Sequence, residues 1–307
     1  MLNVVSKITT LRRAQAEGFI RLAPATLERL ARNVTPKPDA LATARAAALL
    51  GAKRTADLVP HCHPISLDHL AVDLALEVDG VRVTVLAEAV ARTGVEMEAL
   101  CAVQVGCLVL YDLLKAVDSR MVIEGVRLLE KSGGKDDFGP DLAPGYSAAV
   151  VVTSDRAFRG QARDETGPWL VERLRSLGVA EPGYHLLPDE EGEIRALFLD
   201  LARRRVDLVV STGGTGLSPR DRTVEALRPV LERELPGAME AARSYGQART
   251  PYAMLSRGLA GQRGRTLYVA LPGSKGGVRD SFNALFPALM HANRVMAPAP
   301  ASSSAAS

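Results

Sequence analysis

The sequence predicts two domains of different class: an α+β domain, then an α/β domain whose mostly parallel sheet is flanked by helices. Three observations predict this. The 307 residues exceed one domain of roughly 100–200 residues. Residues 132–147 read SGGKDDFGPDLAPGYS, with neither helix nor strand period, and divide the chain. Before that stretch two alternating apolar runs flank an Asp-Gly pair. After it, strand and helix patterns take turns. The expected organisation is a first domain over 1–138, a linker over 139–146, a second domain over 147–296 and a disordered tail over 297–307, where the chain reads APAPASSSAAS. No repeat relates the halves.

In the first domain, Asp39 is placed to cap a helix over 41–50 that Gly51 ends. Leu70, Val72, Leu74, Leu76 and Val78 share one side of a strand, with Asp73 and Glu77 on the other. Asp79-Gly80 follows, and Val81, Val83 and Val85 alternate again, the pattern of a tight hairpin. A long helix is expected over 93–117 and a further strand over 121–129. In the second domain the strand candidates are 148–152, 184–187, 208–211 and 266–271, and the helices 168–177, 192–204, 223–234 and 277–290. That order implies right-handed crossovers and a sheet covered on both faces.

Composition narrows the function classes. Apolar residues at 47% and charged residues at 24% exclude wholesale disorder. No uninterrupted apolar run approaches the roughly 20 residues of a membrane span. The start, MLNVVSKITTLRR, lacks the charged-then-apolar order of a signal peptide. Three cysteines make no disulfide framework, so a cytoplasmic protein is expected. The net charge is +3, with 17 basic against 18 acidic residues up to residue 146 and 21 against 17 after it, or −1 and +4. Nucleic-acid binders concentrate more positive charge than this.

In the first half, polar residues gather where a core should form. Lys53-Arg54 and Asp57 precede Pro60-His61-Cys62-His63-Pro64. His63 suits acid/base work near neutral pH, and equally suits capping a turn. The His-Cys-His run is metal-competent, but structural zinc takes four ligands in paired spacing, which Cys101 and Cys107 do not supply. Thr93 and Glu96 have capping-box spacing, whereas Glu98 has no such role. Asp112 and Lys115 share a helical face with apolar Cys101, Val105 and Leu108. Such a pair is a surface ion pair or, on a mostly buried stripe, a perturbed acid/base couple. Glu98 and Asp112 also share that face, but stand about 21 Å apart along a helix. A small substrate reaching both needs a second subunit, which predicts a symmetric oligomer. Lys131 and Lys135 bracket Ser132-Gly133-Gly134, whose backbone amides suit a phosphate chain or simply start the linker. Lys37, ahead of the Asp39 helix, is another candidate phosphate contact.

These stretches, KPDA (37–40), AKRTADLVPHCHP (52–64), RTGVEMEAL (92–100), YDLLKAVD (111–118) and RLLEKSGGK (127–135), resemble cyclic pyranopterin monophosphate synthase of molybdenum-cofactor synthesis. The resemblance spans about 1–138. It implies a ferredoxin-like domain, a hexamer built as a trimer of dimers, and sites at the dimer interface. It implies rearrangement of (8S)-3',8-cyclo-7,8-dihydroguanosine 5'-triphosphate to cyclic pyranopterin monophosphate and pyrophosphate, with no cofactor. By motif, Asp112 and Lys115 look like the acid/base pair, and Lys37 and Lys131 like triphosphate or ring-opening lysines. Lys53, His61, Cys62, His63, Glu96, Met97 and Glu98 look like substrate contacts. His61 departs from the family, which more often has an apolar residue there.

In the second half every expected strand ends in a polar or glycine turn. The four are Thr153-Ser154-Asp155-Arg156, Leu187-Pro188-Asp189-Glu190, Thr212-Gly213-Gly214-Thr215-Gly216 and Leu271-Pro272-Gly273-Ser274. Open α/β sheets bind ligands at those ends, and glycines there let backbone amides approach phosphates. Asp221 has the N-cap position of the helix expected at 223. Two separate aspartates, Asp189 and Asp221, beside such loops suggest a nucleotide held with Mg²⁺, which takes few carboxylates plus phosphate oxygens.

VTSDRAFRGQARDETG (152–167), LLPDE (186–190), VVSTGGTGLSPRDRT (209–223), ELPGAMEAAR (234–243), YAMLSR (252–257) and LPGS (271–274) resemble the molybdopterin adenylyltransferase family. The resemblance covers about 147–296, with a departure at Lys275-Gly276-Gly277. It implies transfer of AMP from ATP to a molybdopterin phosphate with Mg²⁺, and trimers. Asp189 and Asp221 look like the key carboxylates and magnesium ligands. Ser154, Asp155, Gly213, Gly214, Thr215, Gly216, Ser256, Gly273 and Ser274 look like nucleotide or pterin contacts. Some relatives only bind pterin, which is the alternative for this half. The expected whole is a bifunctional homo-oligomer, trimer or hexamer, acting on pterin and nucleotide substrates without nucleic acid or membrane. The two implied reactions are not consecutive, since sulfur insertion lies between them.

Overall fold

The computed structural model describes residues 1–140 and 142–296. Asp141 of the expected linker and the expected tail over 297–307 lie outside the described residues. The chain divides into two compact units, the first Met1–Phe138 and the second starting at Gly139.

The first unit runs β1 (Thr10–Arg21), α1 (Pro24–Ala31), α2 (Ala40–Lys53), α3 (Thr55–Leu58), β2 (His69–Glu77), β3 (Gly80–Ala91), α4 (Glu96–Leu114) and β4 (Val122–Ser132). Its strands form one antiparallel sheet in the order β2-β3-β1-β4. The hairpin forms where expected, with Glu77 opposite Gly80. Val81, Val83, Val85, Ala87 and Ala89 of β3 turn into the core, the period-2 pattern that makes it a one-sided strand. β1 escapes the sequence reading. Its inward residues Ala14, Ala16 and Ile20 alternate with Arg13, Gln15 and Glu17, and alanine makes a faint apolar signal.

Helix α4 is the centre of this unit. Ala99, Ala102, Val103, Cys107, Leu110 and Leu114 are buried. It is long and apolar enough to cross a membrane, but half of that stretch is buried inside the protein. α2 lies against it through small residues: a Cβ on Gly51 would meet Val105 at 2.9 Å, and one on Gly106 would meet Ala48 at 3.3 Å. Gly51 is therefore a close-approach residue, and α2 runs past it to Lys53 rather than ending there. Two expected caps also fail to form. Asp39 sits at φ 54°, ψ 40°, its carbonyl accepting from the Thr43 amide but its side chain making no bond to the helix. Its Oδ1 accepts from Asn33 Nδ2 at 2.9 Å and its amide donates to Asn33 Oδ1 at 3.1 Å. α4 starts after Val95 with no side-chain cap, because Glu96 turns to Lys131.

The second unit runs β5 (Ala148–Thr153), α5 (Asp155–Phe158), α6 (Thr166–Ser176), β6 (Gly183–Leu187), α7 (Glu191–Arg203), β7 (Leu208–Thr212), α8 (Thr223–Leu227), β8 (Arg233–Glu234), α9 (Pro236–Gln247), β9 (Leu259–Arg263), β10 (Thr266–Leu271), α10 (Lys275–Leu285) and α11 (Ala292–Met296). The sheet order is β6-β5-β7-β10-β9-β8. β6, β5, β7 and β10 are parallel, while β9 and β8 pair antiparallel at one edge. Alternate residues serve two cores. Val150, Val210 and Val269 pack with Leu170, Leu174 and Phe282 on one face. Val151, Val209 and Tyr268 pack with Ile194, Phe198 and Leu227 on the other.

The helix expected over 223–234 is shorter. α8 ends at Leu227, and a 3₁₀ turn at Arg228–Val230 precedes β8. Pro229, inside that turn, has no amide to continue the helix. The helix expected over 277–290 stops at Leu285 for a related reason, since Pro287 restricts the residue before it. α9 and the antiparallel strand β9 had no counterpart in the sequence reading.

Asp207, just before β7, is buried and joins three segments. Its Oδ2 accepts from the Ser147 amide and hydroxyl, both at 2.9 Å, and its Oδ1 from Arg265 Nε at 3.1 Å. Asp207→Ala would strand those donors and is expected to cost about 3 kcal/mol. The check is urea unfolding of the full chain, monitored by Trp169 in the second unit. A midpoint unchanged from wild type would contradict it.

Candidate active sites

Three side chains from different parts of the first unit meet at the end of α4. Asp112 accepts from Lys37 Nζ at 2.7 Å and from Lys115 Nζ at 2.7 Å. Lys37 reaches it from the turn ahead of α2. The side chain of Asp112 is 50% exposed and that of Leu108 also faces outward. The stripe expected to be buried is therefore open within one chain. The perturbation comes from the lysines instead. Hydrogen bonds from Lys115 and Lys37 hold the Asp112 carboxyl down at about 2.

A second group gathers at the opposite end of the same helix. Glu96 pairs with Lys131 of β4 at 3.3 Å. Glu98 is buried, and burial pushes its carboxyl up, with the Glu96 charge adding to the effect. Cys62 lies close enough that burial and then the Glu98 charge raise its thiol. His63 is half-buried beside it, His61, Lys53 and Met97 are exposed. Because α4 is unbroken from Glu96 to Leu114, the Glu98 and Asp112 groups cannot converge on one small molecule within one chain; the rise is about 1.5 Å per residue.

The Gly133-Gly134 amides differ from expectation. Both donate to the Asp137 carboxylate, Gly134 at 3.1 Å. The anion-holding backbone is real, but the chain's own carboxylate fills it.

In the second unit the four expected turns do gather at the carboxyl end of the parallel strands. Gly213 and Gly214 have φ of 97° and 61°. A Cβ on Gly213 would stand 2.1 Å from the Thr153 carbonyl, and one on Gly214 would stand 2.3 Å from Thr223 Oγ1. Only glycine fits this turn. Hydroxyls lock it from below: Thr223 Oγ1 donates to Gly213 O and lies 2.9 Å from Thr153 Oγ1. Thr215 is buried, its hydroxyl donating to Leu271 O at 3.4 Å.

Two cavities open beside the turn and share Gly273. The smaller, about 230 Å³, is lined by Ser154, Thr166, Gly213 and Lys275 among others. The larger, about 620 Å³, takes Thr215, Gly216, Ser256 and Ser274, with Arg243 and Tyr252. Ser154 and Ser274 also cap α5 and α10 through the Ala157 and Gly277 amides.

The aspartates stand together beside the smaller cavity. Asp189 Oδ2 accepts from the Asp155 amide at 2.9 Å, and Asp155 Oδ1 from the Asp189 amide at 3.3 Å. Burial pushes the Asp189 carboxyl up, and the Asp155 and Asp221 charges add to this. Arg220 pairs with Asp155 and holds its carboxyl low. Asp221 is not a helix cap: its Oδ2 accepts from the Ser218 amide at 2.8 Å, and Arg222 precedes α8. Arg220 and Arg257 were missed by the sequence reading. Arginines next to a Gly-rich turn were the available signal. Among the described residues no group of three or more His, Cys, Asp or Glu is placed to enclose a metal ion.

Comparison with known proteins gives a consistent picture. Residues 1–134 match the MoaC family, and residues 149–291 match a family described as "probable molybdopterin binding domain". A "molybdenum cofactor biosynthesis bifunctional protein" of Chlorobaculum tepidum is 38% identical over 292 residues, covering 95% of this chain and 93% of the relative. A protein of the same description from Synechococcus elongatus is 38% identical, covering 96% and 97%. A "cyclic pyranopterin monophosphate synthase" of Roseiflexus sp. is 49% identical over 144 residues, covering 46% of this chain and 91% of the relative.

The lysine pair makes a titration testable. A carboxylate with a depressed folded value keeps its ion pairs at neutral pH and loses them only as pH falls through that value. Carbon-13 carboxyl NMR of the full chain should find Asp112 titrating near 2. Lys115→Ala should move it back toward the ordinary carboxylate range. An Asp112 that titrates in that ordinary range in the unaltered protein contradicts the geometry.

Proposed function

The chain belongs to the family of bifunctional molybdenum cofactor biosynthesis proteins, and on that premise we propose that its two halves carry two separate chemistries. The first half acts as a cyclic pyranopterin monophosphate synthase, converting (8S)-3',8-cyclo-7,8-dihydroguanosine 5'-triphosphate to cyclic pyranopterin monophosphate and pyrophosphate. The observation that carries this reading is Asp112 between Lys37 and Lys115. The β-α-β-β-α-β element order and the antiparallel strand order support a ferredoxin-like fold.

Paired, Asp112 is too weak a base and Lys115 too weak an acid for exchange; once the lysines turn from it to substrate phosphate, Asp112 can take a proton and Lys115 can give one. Lys37, released from Asp112, and Lys131, released from Glu96, would meet the triphosphate. Lys53 adds positive charge. Glu98, kept toward its neutral form by burial, can donate a hydrogen bond to the ring, beside Cys62, His63, Met97 and Glu96. With the two groups at opposite ends of α4, a complete site takes one from each of two subunits, which favours a dimer-based oligomer such as a hexamer built as a trimer of dimers.

The second half adenylylates molybdopterin with ATP. The aspartate group supports this reading over simple pterin binding. Asp189, half-buried among the charges of Asp155 and Asp221, calls for a cation. The donor set, two carboxylates and no further protein ligands, suits Mg²⁺ with the remaining positions on phosphate oxygens. When bound, the ion neutralises charge on the transferring phosphate. Gly213 and Gly214 allow the phosphates to approach the backbone. The larger cavity, bounded by Ser256, Gly273 and Ser274, has room for the pterin, and the smaller one adjoins the nucleotide. A pterin carrier without transfer is the second reading, favoured by the match of residues 149–291 to a family described as "probable molybdopterin binding domain".

Two outcomes test this. Asp112→Asn is expected to abolish pyranopterin formation while ATP-dependent adenylylation by the same protein persists. Loss of both activities would contradict separate sites. Asp221→Ala is expected to remove adenylylation by about a hundredfold or more, the scale of removing one transition-state charge contact, with pterin binding retained. Unaltered protein that forms no adenylylated pterin from ATP, Mg²⁺ and molybdopterin would leave the carrier reading standing.

A further inference from the structure

The loop 216–221 carries Asp221 and is exposed from 217 to 220. Inside it the bonds are local, Asp221 N to Ser218 O at 2.9 Å and Ser218 N to Asp221 Oδ2 at 2.8 Å. At its tip Arg220 pairs with Asp155 and stands 3.5 Å from Glu190, which ties the tip to the segment of Asp189. Arg257 ties the two ends of the loop from outside. Its backbone amide donates to Thr215 O at 3.0 Å. Its Nε donates to Gly216 O at 2.6 Å and its Nη2 to Asp221 O at 3.1 Å. One guanidinium thus reaches both ends of the loop.

The fork is itself held. Glu225, on the first turn of α8, pairs with Arg257 through Nη1, and its Oε2 lies 3.4 Å from Nη2. The planar fork can serve two carbonyls and a carboxylate at once, which a lysine ammonium on a flexible stem cannot reproduce. The carboxylate of Asp221 lies over Gly216, since a Cβ there would meet Asp221 Oδ2 at 2.8 Å. A shift at either end of the loop would therefore displace that carboxylate. Arg257 also follows Ser256 directly, which lines the larger cavity.

We propose that Arg257 is a positioning residue: seated on Glu225, it ties the ends of the loop 216–221 and sets where the Asp221 carboxylate stands for metal-bound nucleotide. The proposal rests on the adenylylation reading. It adds a residue that lines neither of the two cavities assigned to nucleotide and pterin, and makes Glu225 its anchor.

The test is binding of Mn²⁺–ATP to the full chain, followed by electron paramagnetic resonance, with thermal melting alongside. Arg257→Lys keeps the positive charge and loses the fork. It should weaken Mn²⁺–ATP binding by about tenfold, the worth of a charge-assisted hydrogen bond, in the direction of Asp221→Ala. Its melting point should stay within about 3 °C of wild type, a change of about 1 kcal/mol or less. Glu225→Gln, which leaves the arginine in place but loosens its seat, should weaken binding in the same direction. Wild-type affinity in Arg257→Lys, with Asp221→Ala impaired, overturns the proposal and leaves the adenylylation reading intact. Failure of the unaltered protein to bind Mn²⁺–ATP overturns both. If Arg257→Lys does not fold, Glu225→Gln decides: wild-type affinity there overturns the proposal.

Discussion

The first half is organised by one continuous rod. α4 packs closely on α2, glycine against valine and glycine against alanine, which sets the spacing of the two helices. Everything chemical in this half is placed by that rod. Glu96 and Glu98 ride its first turn, and Asp112 its last. Lys37, Cys62 and Lys131 reach its ends from other segments. A site built on a straight helix gains accuracy, because helix positions hold side chains better than loops do. It also commits the two ends to different neighbourhoods.

The second half solves positioning differently. Its chemistry sits on turns, and turns need outside support. Buried threonine hydroxyls hold the glycine turn from beneath, while arginines hold the acidic loops from the side. Charge balance runs through the same contacts. Arg220 offsets Asp155, Arg257 offsets Glu225, and Asp189 makes no direct ion pair among the described residues, with Arg220 acting on it only at longer range. That imbalance is what a bound divalent ion and phosphates would use.

Much of this was legible in the residues, and the exceptions have physical causes. The hairpin at Asp79-Gly80 carried a period-2 pattern and the central parallel strands were near-continuous apolar runs, buried on both faces, so both were readable. β1 was hidden because alanines face its core side, and the helix expected over 223–234 was cut short at Pro229. Caps assigned to Asp39 and Glu96 failed because each side chain had a better partner, Asn33 and Lys131, that is remote or unpatterned in sequence. Asp112 stands between two lysines, but not in the setting the sequence suggested. Burial was inferred from the apolar stripe, whereas the perturbing groups are two ammonium ions, one from a distant turn. Arg257 could not be read as important from spacing alone, since the carbonyls it holds lie about 40 residues earlier in the chain.

The sheets of the two units share no strand, and the units part between Phe138 and Gly139. Among the described residues each sheet is complete within its own unit, so either half carries its whole ladder with it. Heredity could thus shuffle the two domains as whole cassettes, keeping each ancestral core while trading its companion.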